Sequence, residues 1–251
     1  DSQAPVLAFR ESGLPLADGA LFNRAVSPVV VATDATQVIL SVTLNGTPFT
    51  SGTPVADEGS YTLAATAVDE GGNTANLAAS FVIDTTAPNF VTVLPPDNTL
   101  IATSEIALSG EVAGAQAVTV DGLPCTLASD LFVCPSFPLG DGERIFTLVA
   151  RDAAGNGTPR QHRIRRDGTG PAVAIAIPAK GAYLASADVA VSGTAVDPHL
   201  AEVRVNGILA NLVGDAWSAG PISFAEGAAT IEVTARDTVD NATVEIGRAH
   251  V

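Results

Sequence analysis

The stretch ATAVDEGGN at residues 65–73 ends a run of small apolar residues with an aspartate, two glycines and an asparagine. Similar stretches stand at residues 149–156, VARDAAGN, and 234–241, TARDTVDN. The aspartates that end the apolar runs lie 83 and 85 residues apart, and they are Asp69, Asp152 and Asp237. Because a fixed period is the signature of a repeated structural unit, we predict that the chain consists of three copies of one unit.

Other residues recur at the same offsets. They are Gly59 with Gly142 and Gly227, Asn73 with Asn156 and Asn241, and Phe49 with Phe132 and Trp217. Asp84 and Asp167 are also 83 residues apart and begin the matching segments DTTAP and DGTGP. Proline and small polar residues are typical of linkers, so we predict domains at residues 1–86, 87–170 and 171–251.

Within each copy the hydrophobic pattern has a period of two. Before Asp69, the side chains of Leu63, Ala65 and Ala67 share one phase, while threonine occupies much of the other. This alternation is typical of an antiparallel strand with one buried face and one hydrated face.

Further short strands are predicted at residues 90–94, 105–110, 118–120, 173–177, 188–193 and 202–205. Dipeptides that favour tight hairpins follow or separate strands, and they are Asn45-Gly46, Asp121-Gly122 and Asn206-Gly207. No helix of ten residues or more is evident. About seven short strands in each copy predict an all-β fold of three tandem immunoglobulin-like antiparallel β-sandwiches in an elongated array.

The order strand, A-x-D-x-x-G-N, strand, D-x-T-x-P resembles the immunoglobulin-like repeats of large bacterial secreted and cell-surface proteins. It is most complete at residues 44–88, LNGTPFTSGTPVADEGSYTLAATAVDEGGNTANLAASFVIDTTAP. The third copy, with VSGTAVD, VRVNG and IEVTARD, is similar to immunoglobulin-like modules that accompany secreted polysaccharide-acting enzymes. The resemblance implies a spacer, stalk or binding module outside the cytoplasm, and it implies no catalytic residues.

The charge of the chain is one-sided, with 27 acidic and 12 basic residues and a formal net charge of −15. Such a surface repels phosphate backbones and anionic lipids, so nucleic acid and membrane partners are disfavoured. No apolar run approaches the roughly 20 residues that span a bilayer. Because the sequence starts at Asp1 and contains no methionine, we expect a processed or excised piece of a longer protein.

The two cysteines, Cys125 and Cys134, flank a segment whose pattern indicates a hairpin with Ser129-Asp130 at its tip. They are expected to face each other and form a disulfide, which persists only in oxidising compartments. We therefore expect an extracellular or cell-surface location, with the periplasm as the alternative. Two buried free thiols are the other interpretation of the pair.

The repeated aspartates have three interpretations. The first is structural: each aspartate accepts backbone hydrogen bonds in a turn that ends at an asparagine, which gives the pairs Asp69 with Asn73, Asp152 with Asn156, and Asp237 with Asn241. The second is a calcium site near the domain junctions, with carboxylate ligands from Asp69, Asp84, Asp152, Asp167 and Asp237 and nearby acids such as Asp34, Asp57 or Glu58. The third, catalysis, is disfavoured because His162, His199 and His250 occupy unrelated positions in the repeat.

Two other features have alternative interpretations. Trp217 is expected to plug the core, and a sugar-stacking platform is the alternative. A basic cluster in the last strand of the second copy is expected to protect a sheet edge, with docking of an acidic neighbour as the alternative. It consists of Arg160, Arg163, Arg165 and Arg166 around His162.

These observations predict a protein that is not an enzyme and that serves as an adhesin or stalk spacer, with no cofactor other than calcium at its junctions. The expected partners are other domains of the parent chain and a surface protein or glycan of a host or neighbouring cell. One alternative function is an accessory or glycan-binding module of a secreted carbohydrate-active enzyme. Another is a subunit of an extracellular filament.

Overall fold

The computed structural model describes residues 2–251, and over this range it contains β-strands and loops but no helix. Consequently no helix in this range is long and apolar enough to cross a membrane. The strands lie in six sheets, which follow one another along the chain in three groups of two. This arrangement confirms the predicted all-β class and the tandem immunoglobulin-like sandwiches.

The chain forms two compact units. The first takes the residues up to Leu94 together with Leu108–Pro135 and Thr147–Gln161. The second takes Pro95–Ala107, Ser136–Phe146 and His162–Val251. The first group of strands lies in the first unit and the third group lies in the second unit, while strands of the middle group contribute to both. The exact boundaries of the three domains stay a prediction.

The first group has a three-stranded sheet in the order β2-β1-β4 and a five-stranded sheet in the order β3-β8-β7-β5-β6. Its strands are β1 (Val6–Glu11), β2 (Leu14–Pro15), β3 (Ala20–Phe22), β4 (Val29–Thr33), β5 (Val38–Leu44), β6 (Thr47–Pro48), β7 (Gly59–Asp69) and β8 (Thr74–Ile83). The alternation in β7 buries Leu63 and Ala65 in a core with Phe81. The ring of Tyr61 stacks on Phe81 with centroids 5.2 Å apart.

The middle group has a four-stranded sheet in the order β14-β15-β11-β9 and a five-stranded sheet in the order β10-β17-β16-β12-β13. Its strands are β9 (Asn89–Leu94), β10 (Thr99–Ile101), β11 (Glu105–Ala113), β12 (Ala117–Val120), β13 (Leu123–Pro124), β14 (Thr126–Ala128), β15 (Leu131–Pro138), β16 (Gly142–Arg151) and β17 (Gly157–Arg166). The three strands predicted in this copy from the sequence are present.

The disulfide predicted from the sequence is present. Cys125 and Cys134 are joined, with their Cα atoms 4.1 Å apart, and Thr126 pairs with Val133 beside them. Cys125 lies between β13 and β14, where the chain passes from one sheet to the other. The disulfide therefore ties the segment in which the chain changes sheets to Cys134 in β15.

The prediction that the arginines protect a sheet edge is wrong for Arg165 and Arg166, because β10 pairs with β17 at these residues. There the short strand β10 runs parallel to β17 and forms the edge instead. Arg160 precedes this pairing, and for it the edge role stays a prediction. Two of the arginines are engaged locally: Arg163 lies 3.2 Å from Glu143, and Arg166 lies 2.6 Å from Asp141.

The third group has two four-stranded sheets, in the orders β18-β19-β23-β22 and β21-β20-β24-β25. Its strands are β18 (Ala172–Ile177), β19 (Asp188–Val196), β20 (Leu200–Val205), β21 (Ile208–Leu209), β22 (Asn211–Val213), β23 (Ala216–Ser223), β24 (Ala228–Asp237) and β25 (Ala242–His250). Trp217 belongs to the core and is only 2% exposed, so its ring offers no sugar-stacking surface.

The predicted alignment of Phe49 with Phe132 and Trp217 is wrong for Phe49. Phe132 and Trp217 do correspond: a Cβ atom at Gly110 would lie 3.0 Å from the Phe132 ring, and one at Gly193 would lie 2.6 Å from the Trp217 ring. Between β6 and β7, however, the first group has no counterpart of β14 and β15 among the described residues.

Phe49 instead takes the position of Cys125 and Ala210. The backbone N–H groups of these residues donate to equivalent strands, at Val42 over 2.9 Å, Val118 over 2.9 Å and Val203 over 2.8 Å. Equal spacing in the sequence therefore does not mean equal position in the fold.

The three predicted hairpin turns share one conformation. Asn45, Asp121 and Asn206 have φ between 46° and 50°, and the glycine that follows each has φ between 79° and 81°. Two consecutive positive φ values define the tight turn that matches the twist of antiparallel strands. The side-chain Oδ1 of each first residue accepts a backbone N–H from the neighbouring strand over 2.8 to 2.9 Å.

Replacing both cysteines with serine is expected to lower the free energy of unfolding by about 2 to 3 kcal/mol, because the short cross-link restricts the unfolded chain. Urea unfolding of the C125S/C134S protein measures this loss. A reductant should destabilise the original protein and leave the double variant unchanged. Equal stability of the two proteins under oxidising conditions would contradict the expectation.

Candidate functional site

The three repeated aspartates lie at the ends of β7, β16 and β24, and each is bonded to the asparagine four residues later. The Oδ1 atom of Asp69 accepts the backbone N–H of Asn73 over 2.7 Å, and Oδ2 accepts its side-chain Nδ2 over 2.8 Å. In the second copy both distances between Asp152 and Asn156 are 2.8 Å. In the third copy, Oδ1 of Asp237 accepts the backbone N–H of Asn241 over 2.9 Å, and Oδ2 accepts its side-chain Nδ2 over 2.6 Å.

Each turn also closes through the backbone, where the N–H of the aspartate donates to the carbonyl of the asparagine over 3.1 Å in all three copies. The residue before the asparagine has a positive φ, namely 81° at Gly72, 91° at Gly155 and 67° at Asp240. Aspartate is one of the few residues besides glycine that tolerate this conformation, so the third copy keeps the turn without the glycine.

Two of these aspartates are largely removed from water, since Asp69 is 5% exposed and Asp237 is 2% exposed, and Asp152 is half-buried. A buried carboxylate needs hydrogen-bond donors, and the asparagine supplies them. The side-chain hydrogen bond from Asn73 lowers the pKa of Asp69 from its ordinary value, against the opposing effect of burial. The folded state therefore favours the ionised carboxylate.

The asparagines of the second and third turns also hold the preceding linkers. The Nδ2 atom of Asn156 donates to the carbonyl of Asp84 over 2.7 Å, and Nδ2 of Asn241 donates to the carbonyl of Asp167 over 2.8 Å. One amide group thus bonds both the carboxylate of its turn and the linker. The sequence analysis did not predict this contact, although the 83-residue spacing of Asp84 and Asp167 indicated that the two linkers are equivalent.

Each linker has a second anchor on the copy that precedes it. Glu58 accepts hydrogen bonds from the backbone N–H of Thr85 over 2.7 Å and from its hydroxyl over 2.6 Å. Asp141, 83 residues later, accepts the backbone N–H of Gly168 over 2.8 Å. The hydroxyl groups of Thr85 and Thr86 lower the pKa of Glu58. Both linkers are therefore bonded on two sides.

Within the linkers, the first aspartate forms a turn of its own. Oδ1 of Asp84 accepts the N–H of Thr86 over 3.1 Å, and Oδ1 of Asp167 accepts the N–H of Thr169 over 3.3 Å. At the first linker the hydroxyl of Thr158 also donates to the carbonyl of Pro88 over 2.5 Å.

The second linker has an imidazole contact that the first linker lacks. Nδ1 of His199 lies 2.7 Å from Oδ2 of Asp167, and the backbone N–H of His199 donates to Oδ1 of Asp197 over 2.6 Å. The hydrogen bond to His199 lowers the pKa of Asp167. The corresponding loop beside the first linker, at residues 114–116, reads Gly-Ala-Gln and offers neither group.

A groove of about 330 Å³ lies at the first linker instead, lined by Asp84, Thr86, Ala87, Pro88, Asn89, Ala113 and Gly114. The two junctions therefore share their asparagine bond and differ in how the adjacent loop fills the space beside the linker.

Of the five predicted calcium ligands, the structure brings only Asp167 into a group of three side chains that could hold a metal ion. Within residues 2–251, that group consists of Asp167, Asp197 and His199. Calcium prefers six to eight oxygen ligands, whereas both carboxylate oxygens of Asp69, Asp152 and Asp237 accept N–H groups. Calcium binding by these residues stays a prediction.

Comparisons with known proteins agree with this architecture. A family model described as glucodextranase, domain B, matches residues 171–248, which belong to the third copy. The comparison with curated proteins found no match to this chain.

Among solved structures, an I-band fragment of titin is similar over 100% of this chain and 99% of its own, with 12% identity and a TM-score of 0.53. An E-to-A variant of a three-Ig titin structure covers 99% of both chains, with 10% identity and a TM-score of 0.52. At such low identity the likeness shows the fold alone.

Replacing Asn156 with alanine removes its bonds to both the turn and the linker, whereas Thr158→Val removes only a linker bond and keeps the side-chain shape. We expect Thr158→Val to cost about 1 kcal/mol of stability and Asn156→Ala to cost more, because the half-buried carboxylate of Asp152 also loses a donor. Urea unfolding measures both losses. Hydrogen exchange at Thr86 reports on the linker, and it should accelerate in both variants; unchanged exchange would contradict the anchoring role.

Acid is expected to destabilise the protein. The pKa values of Asp69, Glu58 and Asp167 are lower in the folded state than in the unfolded state, so the unfolded chain binds more protons as the pH falls. The stabilisation is complete above about pH 5 and declines through about pH 4 and below, near the pKa of free carboxylates. Unfolding temperatures measured from pH 7 to pH 3 test this, and a flat profile would contradict it.

Proposed function

We propose that this chain is a non-catalytic spacer and presentation module in a secreted or surface-attached bacterial protein. The observation that carries the proposal is the repeated bond from Asn156 and Asn241 to the carbonyls of Asp84 and Asp167. A short flexible linker without such bonds leaves neighbouring domains free to reorient. Linkers bonded on both sides limit that freedom, as a module that positions something else requires.

The covalent and charge properties support a location outside the cytoplasm. The Cys125–Cys134 disulfide persists in oxidising surroundings and is rare in the cytosol of most organisms. A net charge of −15 favours solubility and disfavours adsorption to anionic surfaces. The partners in this proposal are other domains of the parent chain and the surface protein or glycan that the parent protein meets.

A second candidate is an accessory module of a secreted carbohydrate-active enzyme. The match of residues 171–248 to the model for domain B of glucodextranase favours it. In that case the module would support a catalytic domain elsewhere in the parent chain. The two candidates share the absence of catalysis in this chain and differ in what the module carries.

Single-molecule stretching of the chain tests the spacer proposal. We expect three separate unfolding events, each releasing about 85 residues, or roughly 290 Å of extended chain at about 3.4 Å per residue. The event from the middle copy should be shorter by roughly 30 Å at the same length per residue, because the disulfide keeps its loop closed. Reduction should restore that length.

A single unfolding event for the whole chain, or extension without resolved force, would contradict the spacer role. The N156A/N241A variant is the matched control, because it weakens the linker bonds while each core stays intact. In this variant the three events should remain, and ¹⁵N relaxation should show faster, less correlated domain motion.

Repeating the relaxation measurement with calcium and with a chelator tests the proposed stiffening of the junctions by calcium. Slower, more correlated motion with calcium supports the stiffening, and equal relaxation under both conditions contradicts it.

A further inference from the structure

The third copy has a surface pocket that the spacer role does not need. It has a volume of about 440 Å³, and its lining includes Gly181, Tyr183, Ala228, Thr230, Arg248 and His250. We call it the Tyr183 pocket. In the β24–β25 ladder, His250 lies opposite Ala228 and Arg248 lies opposite Thr230. Small side chains therefore stand beside large ones, which leaves the space open.

Tyr183 forms a flat, accessible platform in this pocket. Its side chain is 87% exposed, and its ring stacks on His250 with centroids 5.5 Å apart and planes 22° apart. At the corresponding positions beside the last strand, the first and second copies have Leu21 and Leu100. An aromatic ring held against a second ring keeps one face available for a ligand.

The middle copy has a counterpart of the arginine in this pocket, with different neighbours. Arg163 corresponds to Arg248, because the N–H of Asn98 donates to the carbonyl of Arg163 over 2.8 Å and that of Gly181 donates to Arg248 over 2.7 Å. The guanidinium of Arg163 lies 3.2 Å from Glu143, and its backbone N–H donates to Asp97 over 2.6 Å. One carboxylate thus pairs with the charge of Arg163, and a second one is bonded to its backbone.

Both acidic residues are replaced in the third copy. Ala228 stands where the middle copy has Glu143, and Lys180 stands where it has Asp97. The first copy also has an acid at the latter position, Asp18, whose carboxylate accepts the N–H of Ser80 over 2.8 Å.

In the part of the chain that the structure describes, no salt bridge joins Arg248 or Lys180 to an acid. Arg248 and His250 therefore line the pocket beside one exposed ring, and Lys180 immediately precedes Gly181 of the lining, in a chain with a net charge of −15.

We propose that the Tyr183 pocket binds a saccharide that carries a carboxylate, such as a uronic acid. The pyranose ring has an apolar C–H face that stacks on the tyrosine ring, and its carboxylate accepts the paired N–H groups of Arg248. Long polyanions are repelled by the acidic surface, but a short saccharide places its few charges within about 8 Å of Arg248, the screening length at physiological salt. This binding activity goes beyond the spacer role and does not rest on it.

Isothermal titration of the whole chain with trigalacturonic acid tests the proposal. The methyl-esterified trisaccharide is the matched ligand control, because it has the same rings without the charges. We expect the acid to bind and the ester to bind at least tenfold more weakly. Raising the salt concentration should weaken binding of the acid, because the attraction is screened.

Three variants locate the site. Tyr183→Ala and Arg248→Gln should each reduce affinity at least tenfold, and K180D/A228E, which restores the acids of the middle copy, should abolish binding. Arg236→Gln is the control, because it removes one exposed cation from the same copy outside the pocket. An unchanged unfolding temperature shows that each variant is folded.

The proposal is overturned if neither the acid nor its ester binds, if both bind equally, or if the pocket variants bind as tightly as Arg236→Gln. Each of these outcomes leaves the stretching experiment unaffected, so failure of the pocket and failure of the spacer role are distinguishable.

Discussion

A carboxylate at the end of a strand that faces the core must be given hydrogen-bond donors, and the rest of this architecture depends on how that need is met. In each copy one asparagine supplies two donors, through its backbone N–H and its side-chain amide, and in the third copy the backbone N–H of Val239 is a further donor. The interaction fixes the turn between the last two strands of each copy. Because the strands on both sides of the turn are long and paired, the position of the asparagine is set by the sheet itself.

The same asparagine has a second hydrogen on its side-chain nitrogen, and at Asn156 and Asn241 this hydrogen bonds the linker of the preceding copy. A group that is already held in place by its turn loses little further freedom when it makes this bond. The linker is therefore anchored at small entropic cost. The anchors on the other side, Glu58 and Asp141, complete the arrangement and recur at the same spacing.

The three copies have the same turns but different surfaces. Arg163 pairs with Glu143, and its backbone bonds Asp97, whereas its counterpart Arg248 lines a pocket with Ala228 and an exposed tyrosine. Substitutions at surface positions cost little stability, so one copy can acquire a charged pocket while its core and turns remain the same. Repetition of a fold thus leaves room for a distinct chemical site in one copy.

The sequence by itself determined the all-β class, the period of the repeat, the hairpin turns and the pairing of Cys125 with Cys134, because these depend on contacts between residues near each other in the chain. It misplaced Phe49 and took the whole of β17 for a sheet edge, although β10 covers its end, because strand order and missing strands are decided by the packing of distant segments. The linker bonds of Asn156 and Asn241 and the pocket around Tyr183 join residues about 70 positions apart. Only the tertiary structure brings such residues within hydrogen-bonding or stacking distance. The hydrophobic period of a single strand does not predict these contacts, because it reflects only which of its own side chains are buried.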